Sequence, residues 1–427
     1  MNKHSYEHIE EMIYKEKLPN GLSVYLLPRP QMAKIYGLFT TDYGSIDQTF
    51  TPINGKERIT VPEGVAHFLE HKMFEKENRD VFADFSNQGA SANAYTSFTK
   101  TAYLFASTDH TMENIETLLD FVQDPYFTDQ SVEKEKGIIA QEIEMYNDQP
   151  DWRALTGTLK AMFHHHPVRI DIPGTVDSIN TITKDDLYTC YNTFYHPENM
   201  TLFIAGNFDV KQIMKMIEEN QASKHFPKVE KIDRSYPQEP DSVFEKDKTI
   251  KMPVSIPKCT IGIKESSSEL TGEDFLKKDL LQDMIADFYF SKGGPFYQQL
   301  YEAQLIDASF YFDTNLEKNF GFTLIGGNTS EPENFAAKVR ELLETTKRTE
   351  FTDEEVDRMK KKKVGQLLRS MNSLEYIATK FTHYNLAGVD FLKAVPFIQS
   401  LTRDDFNTFV QNWIKNDRIA VSKLVNE

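Results

Sequence analysis

The sequence predicts an α+β chain made of two duplicated domains, each a mainly antiparallel sheet packed with helices. Three observations carry this reading. The chain repeats itself in register, strands and helices interleave in both halves without a nucleotide-binding loop, and a polar, proline-rich stretch separates the halves.

The repeat is visible without gaps. "LLDFVQDPYFTDQSVEKEKGIIAQEI" from Leu118 runs parallel to "LLETTKRTEFTDEEVDRMKKKKVGQLL" from Leu342 at an offset of 224. Leu118, Leu119, Phe127, Thr128, Asp129, Val132 and Lys136 all meet identical residues. A second match, "ITKDDLYTCYNTFY" from Ile182 with "LTRDDFNTFVQNWI" from Leu401, lies at an offset of 219. Chance resemblance of amphipathic helices explains one such match but not two in the same order. The stretch 225–258 holds Pro227, Pro237, Pro240, Pro253 and Pro257 and lacks helical periodicity. It reads as a linker plus an edge strand of the second domain, giving domains 1–224 and 225–427.

Within the first half, "PNG" at 19–21 turns into the strand "LSVYLLP". "KIYGLFTTDYG" from Lys34, "ASANAYTSFTKTAYLFAS" from Ala90 and "MTLFIAG" from Met200 are further strands, rich in aromatic and β-branched residues. Helical spacing predicts helices near 64–76, 112–123, 131–147, 152–163 and 184–195. The second half repeats the pattern and ends in the strand "RIAVSKL".

Composition bounds the function. Acidic residues outnumber basic ones 65 to 48, a net charge of −17, which argues against nucleic acid or an anionic membrane as partner. The N-terminal stretch has no apolar core after a basic start, so it does not read as a signal peptide, and no apolar run is long enough to span a bilayer. The two cysteines, Cys190 and Cys259, form no CxxC pair and read as reduced structural thiols. Cytoplasm is the expected location.

The chemistry concentrates in "HFLEH", residues 67–71. Positions i, i+3 and i+4 share a helix face, so His67 and His71 can offer two imidazole nitrogens to one ion with Glu70 beside them. This order is the inverted zinc-peptidase motif. A catalytic zinc takes three protein ligands and a water, and the helix near residue 140 offers Glu135 and Glu142, two turns apart. At the 224 offset these become Met359 and Gln366 in a half whose two histidines, His225 and His383, lie far apart. Both acidic positions lose their charge in the copy without the histidine pair, as a shared role predicts.

"HFLEH", the Glu135…Glu142 pair, "GASANAYTSFTKTAYLF", "HPVRIDIPGT" and "YHPENMTLFIAGNFD" together resemble the pitrilysin/insulinase family of zinc metallopeptidases, which includes the mitochondrial processing peptidases. The resemblance covers nearly the whole chain and implies the mitochondrial processing peptidase-like metallohydrolase fold. Carried over, it implies one Zn2+ per chain, held by His67, His71 and Glu142. Glu70 would be the general base that takes a proton from the water at the metal, and Glu135 an acidic residue supporting the site. The strand through "SANAYT" would be an edge to which substrate adds as a further strand, with Asn93 and Ala94 contacting it. Substrates would then be peptides or unfolded polypeptide segments, cleaved in a chamber closed by two chains.

The sequence departs from the family in its second half. An arginine and a tyrosine seven residues apart are expected after "GGPFYQQL", but Tyr301 and Ala308 stand there, or Asp307 if the alignment slips by one. A heterodimer in which a zinc-free paralogue supplies the pair is the favoured consequence. A homodimer using Tyr297, Tyr301 or Tyr311 is the other. A second functional class stays open: a non-proteolytic or partner-dependent maturation or assembly factor of the same family, for example one linked to elongation factor P modification. Lys72, after the motif, reads as marking a more open helix face. "HHH" at 164–166 cannot converge on one ion and suits a helix end, "MKKKKVG" from Met359 reads as a solvated helix face, and "SKGGP" from Ser291 reads as a turn between helices.

Overall fold

The computed structural model describes residues 1–53, 55–227, 232–266 and 269–426. The chain divides into two compact units. The first comprises Met1–Ile143, Asp171–Tyr236 and Ser370–Leu386, and the second Glu144–Ile170, Pro237–Arg369 and Ala387–Glu427.

In chain order the first half forms β1 (Asn2–Tyr6), β2 (Glu11–Lys17), β3 (Ser23–Pro28), β4 (Ile35–Thr41) and a short ribbon, β5 (Thr49–Phe50) with β6 (Ile59–Thr60). Then come α1 (Val65–Met73), α2 (Val81–Asn87), β7 (Ala90–Thr96), β8 (Thr101–Ser107), α3 (Thr111–Val122), α4 (Asp129–Asn147) and α5 (Pro150–Met162). It closes with α6 (Val176–Asn180), α7 (Lys184–Phe194), β9 (Met200–Gly206) and α8 (Val210–Ala222). The second half forms β10 (Asp247–Lys251), β11 (Lys258–Lys264), α9 (Gly272–Phe290), α10 (Pro295–Glu302), β12 (Tyr311–Leu316) and β13 (Gly321–Asn328). These lead to α11 (Pro332–Thr346), α12 (Asp353–Ser370), α13 (Leu374–Leu386), α14 (Ala394–Ser400), α15 (Arg403–Trp413) and β14 (Ile419–Val425).

The first unit holds a seven-stranded sheet in the order β1-β2-β3-β9-β4-β8-β7, and the second a five-stranded sheet in the order β10-β14-β11-β13-β12. Each sheet is antiparallel except for one parallel pair, β3 with β9 and β10 with β14. The second order repeats the last five strands of the first, so the duplicated, mainly antiparallel α+β architecture expected from the sequence is the observed one. β10 is the edge strand anticipated inside the stretch 225–258. The capping chemistry is duplicated too: Thr183 with Asp186 starts α7, and Thr402 with Asp405 starts α15.

One feature was not legible in the sequence. α5, from the first half, packs on β14 and β11 in the second unit, while α13, its counterpart at the 224 offset, packs on β4 and β9 in the first. Each sheet is thus covered by a helix from the other half of the chain. In the first unit Phe381 of α13 meets Tyr25 and Phe203 on one sheet face, and Phe39, Tyr103 and Phe105 belong to the core under the helices of the other. Burial on both faces explains why β4 and β9 read as continuous apolar runs rather than alternating ones. Gly262 eases the close approach of α5 to its sheet: a Cβ there would stand 2.4 Å from the Met162 sulfur and 2.8 Å from Thr158 Cγ2, so those side chains would have to shift.

The remaining expectations resolve locally. "SKGGP" is the turn between α9 and α10. The lysine run on α12 is not simply solvated: Lys362 and Lys363 pair with Asp287 and Asp283 of α9 at 2.5 and 2.6 Å, and Lys360 donates to the carbonyls of Gln399 and Leu401. The N–H groups of His164, His165 and His166 all donate to Glu239, and His166 Nδ1 accepts from Val168, so the triplet is structural. Both cysteines are buried and unpaired. Among the described residues no helix is long and apolar enough to cross a membrane.

Candidate metal centre

Two helices of the first unit carry the site. α1 begins where Gly64 takes a positive φ of 85°, with Gly174 at 78° against it. A Cβ on Gly64 would come within 2.3 Å of the Pro173 carbonyl oxygen, and Ser178 Oγ donates to the Glu63 carbonyl at 3.0 Å. The "IPGT" segment thereby sets where α1 starts. Val65, Ala66, Phe68, Leu69 and Met73 are buried, anchoring α1 and leaving His67 and His71 partly exposed on its other flank. α4 buries Val132, Ile139 and Ile143 in the same core, which turns Glu135 and Glu142 toward α1.

The side chains meet as follows. One ligand atom from each of His67, His71 and Glu142 lies within 4.8 Å of the others. His67 Nε2 is 3.7 Å from Glu142 Oε1, and His71 Nε2 is 3.5 Å from Glu142 Oε2. His71 Nδ1 is 3.0 Å from Glu135 Oε1, an arrangement that fixes the ring and directs Nε2 into the group. Glu70, buried, accepts a 2.6 Å hydrogen bond from Thr96 Oγ1. The structure therefore brings His67, Glu70, His71, Glu135 and Glu142 into one cluster.

Its electrostatics suit a cation. Burial, with the neighbouring His71, pushes the His67 imidazole down to about 3, so it stays neutral and able to coordinate. Burial also opposes charge on His71, but the hydrogen bond to Glu135 and the carboxylates of Glu70 and Glu142 outweigh it and raise its value. Burial raises the Glu70 carboxyl against the opposing hydrogen bonds from Thr96. Two imidazoles and a carboxylate converging within ligand reach, beside a carboxylate poised to carry a proton, fit a zinc ion bound by three protein donors. His67 Nδ1 is buried with no hydrogen-bond partner among the described residues, and the opposite ring nitrogen faces Glu142.

β7, the strand through Asn93 and Ala94, lies at the outer edge of the seven-stranded sheet. Asn93 is exposed, and its Oδ1 accepts the Ala94 N–H at 2.9 Å. Lys72 departs from expectation. It is fully buried, not on an open face, with its ammonium on Glu75 and the Ser131 carbonyl at the start of α4. A long apolar stem and two acceptors make that burial tolerable.

The sequence profile described as Insulinase (Peptidase family M16) matches residues 60–176, and one described as Peptidase M16 inactive domain matches 181–363. The zinc protease YmfH of Bacillus subtilis, itself uncharacterized, is 48% identical over 420 residues that cover 98% of both chains. The chain belongs to the M16 family. A second uncharacterized B. subtilis zinc protease, YmxG, is 26% identical over 74% of this chain and 77% of its own. The crystal structure of an M16-like peptidase from Alicyclobacillus acidocaldarius superimposes with a TM-score of 0.94 at 40% identity, covering 98% of this chain and 99% of that one. Relatives in this M16 group are thus named as zinc proteases, and the matched pieces divide as the cluster does: every residue gathered above falls within 60–176.

In the second unit Tyr301 is 63% exposed on α10, its ring stacked on Tyr297 at 6.2 Å. Asp307 accepts from the Ser309 N–H at 2.8 Å, and Ala308 is exposed. Sequence reasoning did not single out Thr96, Gly64 or Gly174 for the site. The two glycines lay in plain view within "PEG" and "IPGT", and their positive φ values are the reason.

Proposed function

We propose that this chain is a zinc-dependent metalloendopeptidase that cleaves peptides or unfolded polypeptide segments. The observation that carries the reading is the convergence of His67, His71 and Glu142 donor atoms within 4.8 Å, with Glu70 alongside. Zinc bound there would polarise the substrate carbonyl and make a water ligand acidic near neutral pH.

The chain's own residues do the rest. His67 and His71 hold the ion, Glu142 completes the donor set, and Glu135 keeps the His71 ring in place. Glu70 takes the proton of the attacking water and returns it to the departing amine. β7, with Asn93 and Ala94, pairs with an extended substrate backbone, which demands little of substrate sequence and favours unfolded segments. A second chain closes the chamber. A zinc-free paralogue that brings the absent arginine and tyrosine is the favoured partner, and a homodimer is the other arrangement. Cytoplasm is the proposed location. The exposed Tyr301, in place of the arginine, supports a second reading as a partner-dependent maturation or assembly factor.

Purified, zinc-loaded chain should cleave an unstructured peptide mixture, read by mass spectrometry, while Glu70→Gln should not. Equal cleavage by both would overturn the assignment of Glu70. No cleavage by either, with zinc bound, would favour the partner-dependent reading.

A further inference from the structure

The base of this site is held from the strand proposed to receive substrate. Thr96 is the last residue of β7, and its Oγ1 donates to Glu70 Oε2 at 2.6 Å; its backbone N–H acts on the same carboxylate. Its cross-strand partner Thr101 is fully buried and bonds through Oγ1 to the Tyr43 carbonyl at 2.9 Å, with Thr96 Oγ1 at 3.4 Å. Thr101 Oγ1 is the donor in that second contact, so Thr96 Oγ1 accepts there and its own hydroxyl proton goes to Glu70. A carboxylate has only acceptors, so the direction of the bond is set.

The contact matters because Glu70 is largely enclosed. Tyr103 and Tyr195, whose hydroxyls are 2.7 Å apart, lie close enough for the Glu70 charge to be felt at both. Neither hydroxyl bonds to it in the described contacts, so among those residues Thr96 is the donor that orients the carboxylate. A general base misplaced by a fraction of an ångström loses much of its effect.

We propose that Thr96 is a positioning residue: its hydroxyl turns Glu70 Oε2 toward the edge strand and so ties the orientation of the base to the strand that pairs with substrate. The proposal rests on the reading of Glu70 as the base. Strand pairing along β7 restrains residue 96, and residue 96 restrains Glu70, so a substrate long enough to pair along the strand meets a better ordered base than a short one.

The test compares Thr96→Val, which removes the hydroxyl at nearly constant volume, with Thr96→Ser, which keeps it. In crystal structures, Glu70 should stay within hydrogen-bond distance of residue 96 in the serine variant and turn away in the valine variant. In zinc-loaded protein, kcat should fall roughly tenfold or more for valine, with KM changed less than about twofold and zinc content unchanged, while serine stays within about threefold of wild type. Glu70 unmoved in the valine structure, or serine falling as far as valine, would overturn the proposal. Glu70→Gln run alongside separates the two claims. If it cleaves like wild type the reading of Glu70 as base has failed, whereas the position of Glu70 in the valine structure still decides what Thr96 does.

Discussion

α4 and α12 are one helix written twice, and they differ where the chemistry is. Val132 and Ile143 of α4 and their counterparts Val356 and Leu367 of α12 are all buried, so both helices sit on their cores alike. Glu135 is 8% exposed and its counterpart Met359 is 5% exposed. An enclosed carboxylate is costly unless it is partnered, and in α4 the partner is His71 Nδ1 at 3.0 Å. Without histidines to serve, α12 has an apolar side chain in the same place. Ile138, 46% exposed, becomes Lys362, tied to Asp287. The fold tolerates either copy, and the buried acid stands in the one with the histidine pair, as the role proposed for Glu135 at the metal predicts.

The sharpest way to break the comparison is at the base. Glu70→Gln should lower kcat about 10³-fold with zinc content unchanged, measured on a peptide that wild type cleaves. Next comes a transplant in the other direction. Met359→Glu should destabilise the chain by about 3 kcal/mol in urea unfolding, because no imidazole awaits the new carboxylate, and should gain no metal. Glu135→Gln should weaken zinc affinity by about 10- to 100-fold in competition with a chelator, through a looser His71 ring.

A smaller effect probes the second unit alone. Burial favours the neutral form of Glu239, but Lys264 and the N–H groups of His164, His165 and His166 outweigh it and hold its carboxyl at about 2, against an ordinary 4.5. A depressed folded value contributes stability above the unfolded pKa and loses it as pH falls through the folded one. Wild type should therefore lose stability from pH 4.5 toward about 2, and Glu239→Gln should be less stable at neutral pH with a flatter acid limb in thermal melts. Smallest of all, Gln366→Glu, on an exposed position of α12, should change stability by less than about 0.5 kcal/mol and add no zinc.

The sequence carried the architecture through its repeats because helix faces and capping boxes are local. The 224 offset places Asp129 on Asp353, the first residues of α4 and α12, and the 219 offset places Lys184 on Arg403, the first residues of α7 and α15. The exchange of α5 and α13 was hidden, since an amphipathic stripe shows that a helix is covered and not by which sheet. The β1–β2 hairpin escaped notice because its residues are largely polar, with β1 mostly exposed and β2 mostly half-buried. At the site, the i, i+3, i+4 spacing in "HFLEH" and the seven-residue spacing of Glu135 and Glu142 were readable from helix geometry. Thr96 was not, because a threonine closing a strand looks ordinary until its hydroxyl is seen against a carboxylate. Lys72 misled for the opposite reason: charge suggests exposure, and only the packing shows the ammonium reaching Ser131 and Glu75.

The central claim is that one copy of the repeat holds a metal through His67, His71 and Glu142. Zinc per chain, measured by elemental analysis after exhaustive dialysis of wild type, Glu142→Gln and Gln366→Glu, tests it most directly. One zinc in wild type and Gln366→Glu, and a marked loss in Glu142→Gln, is the predicted result. Equal zinc in all three proteins would contradict it.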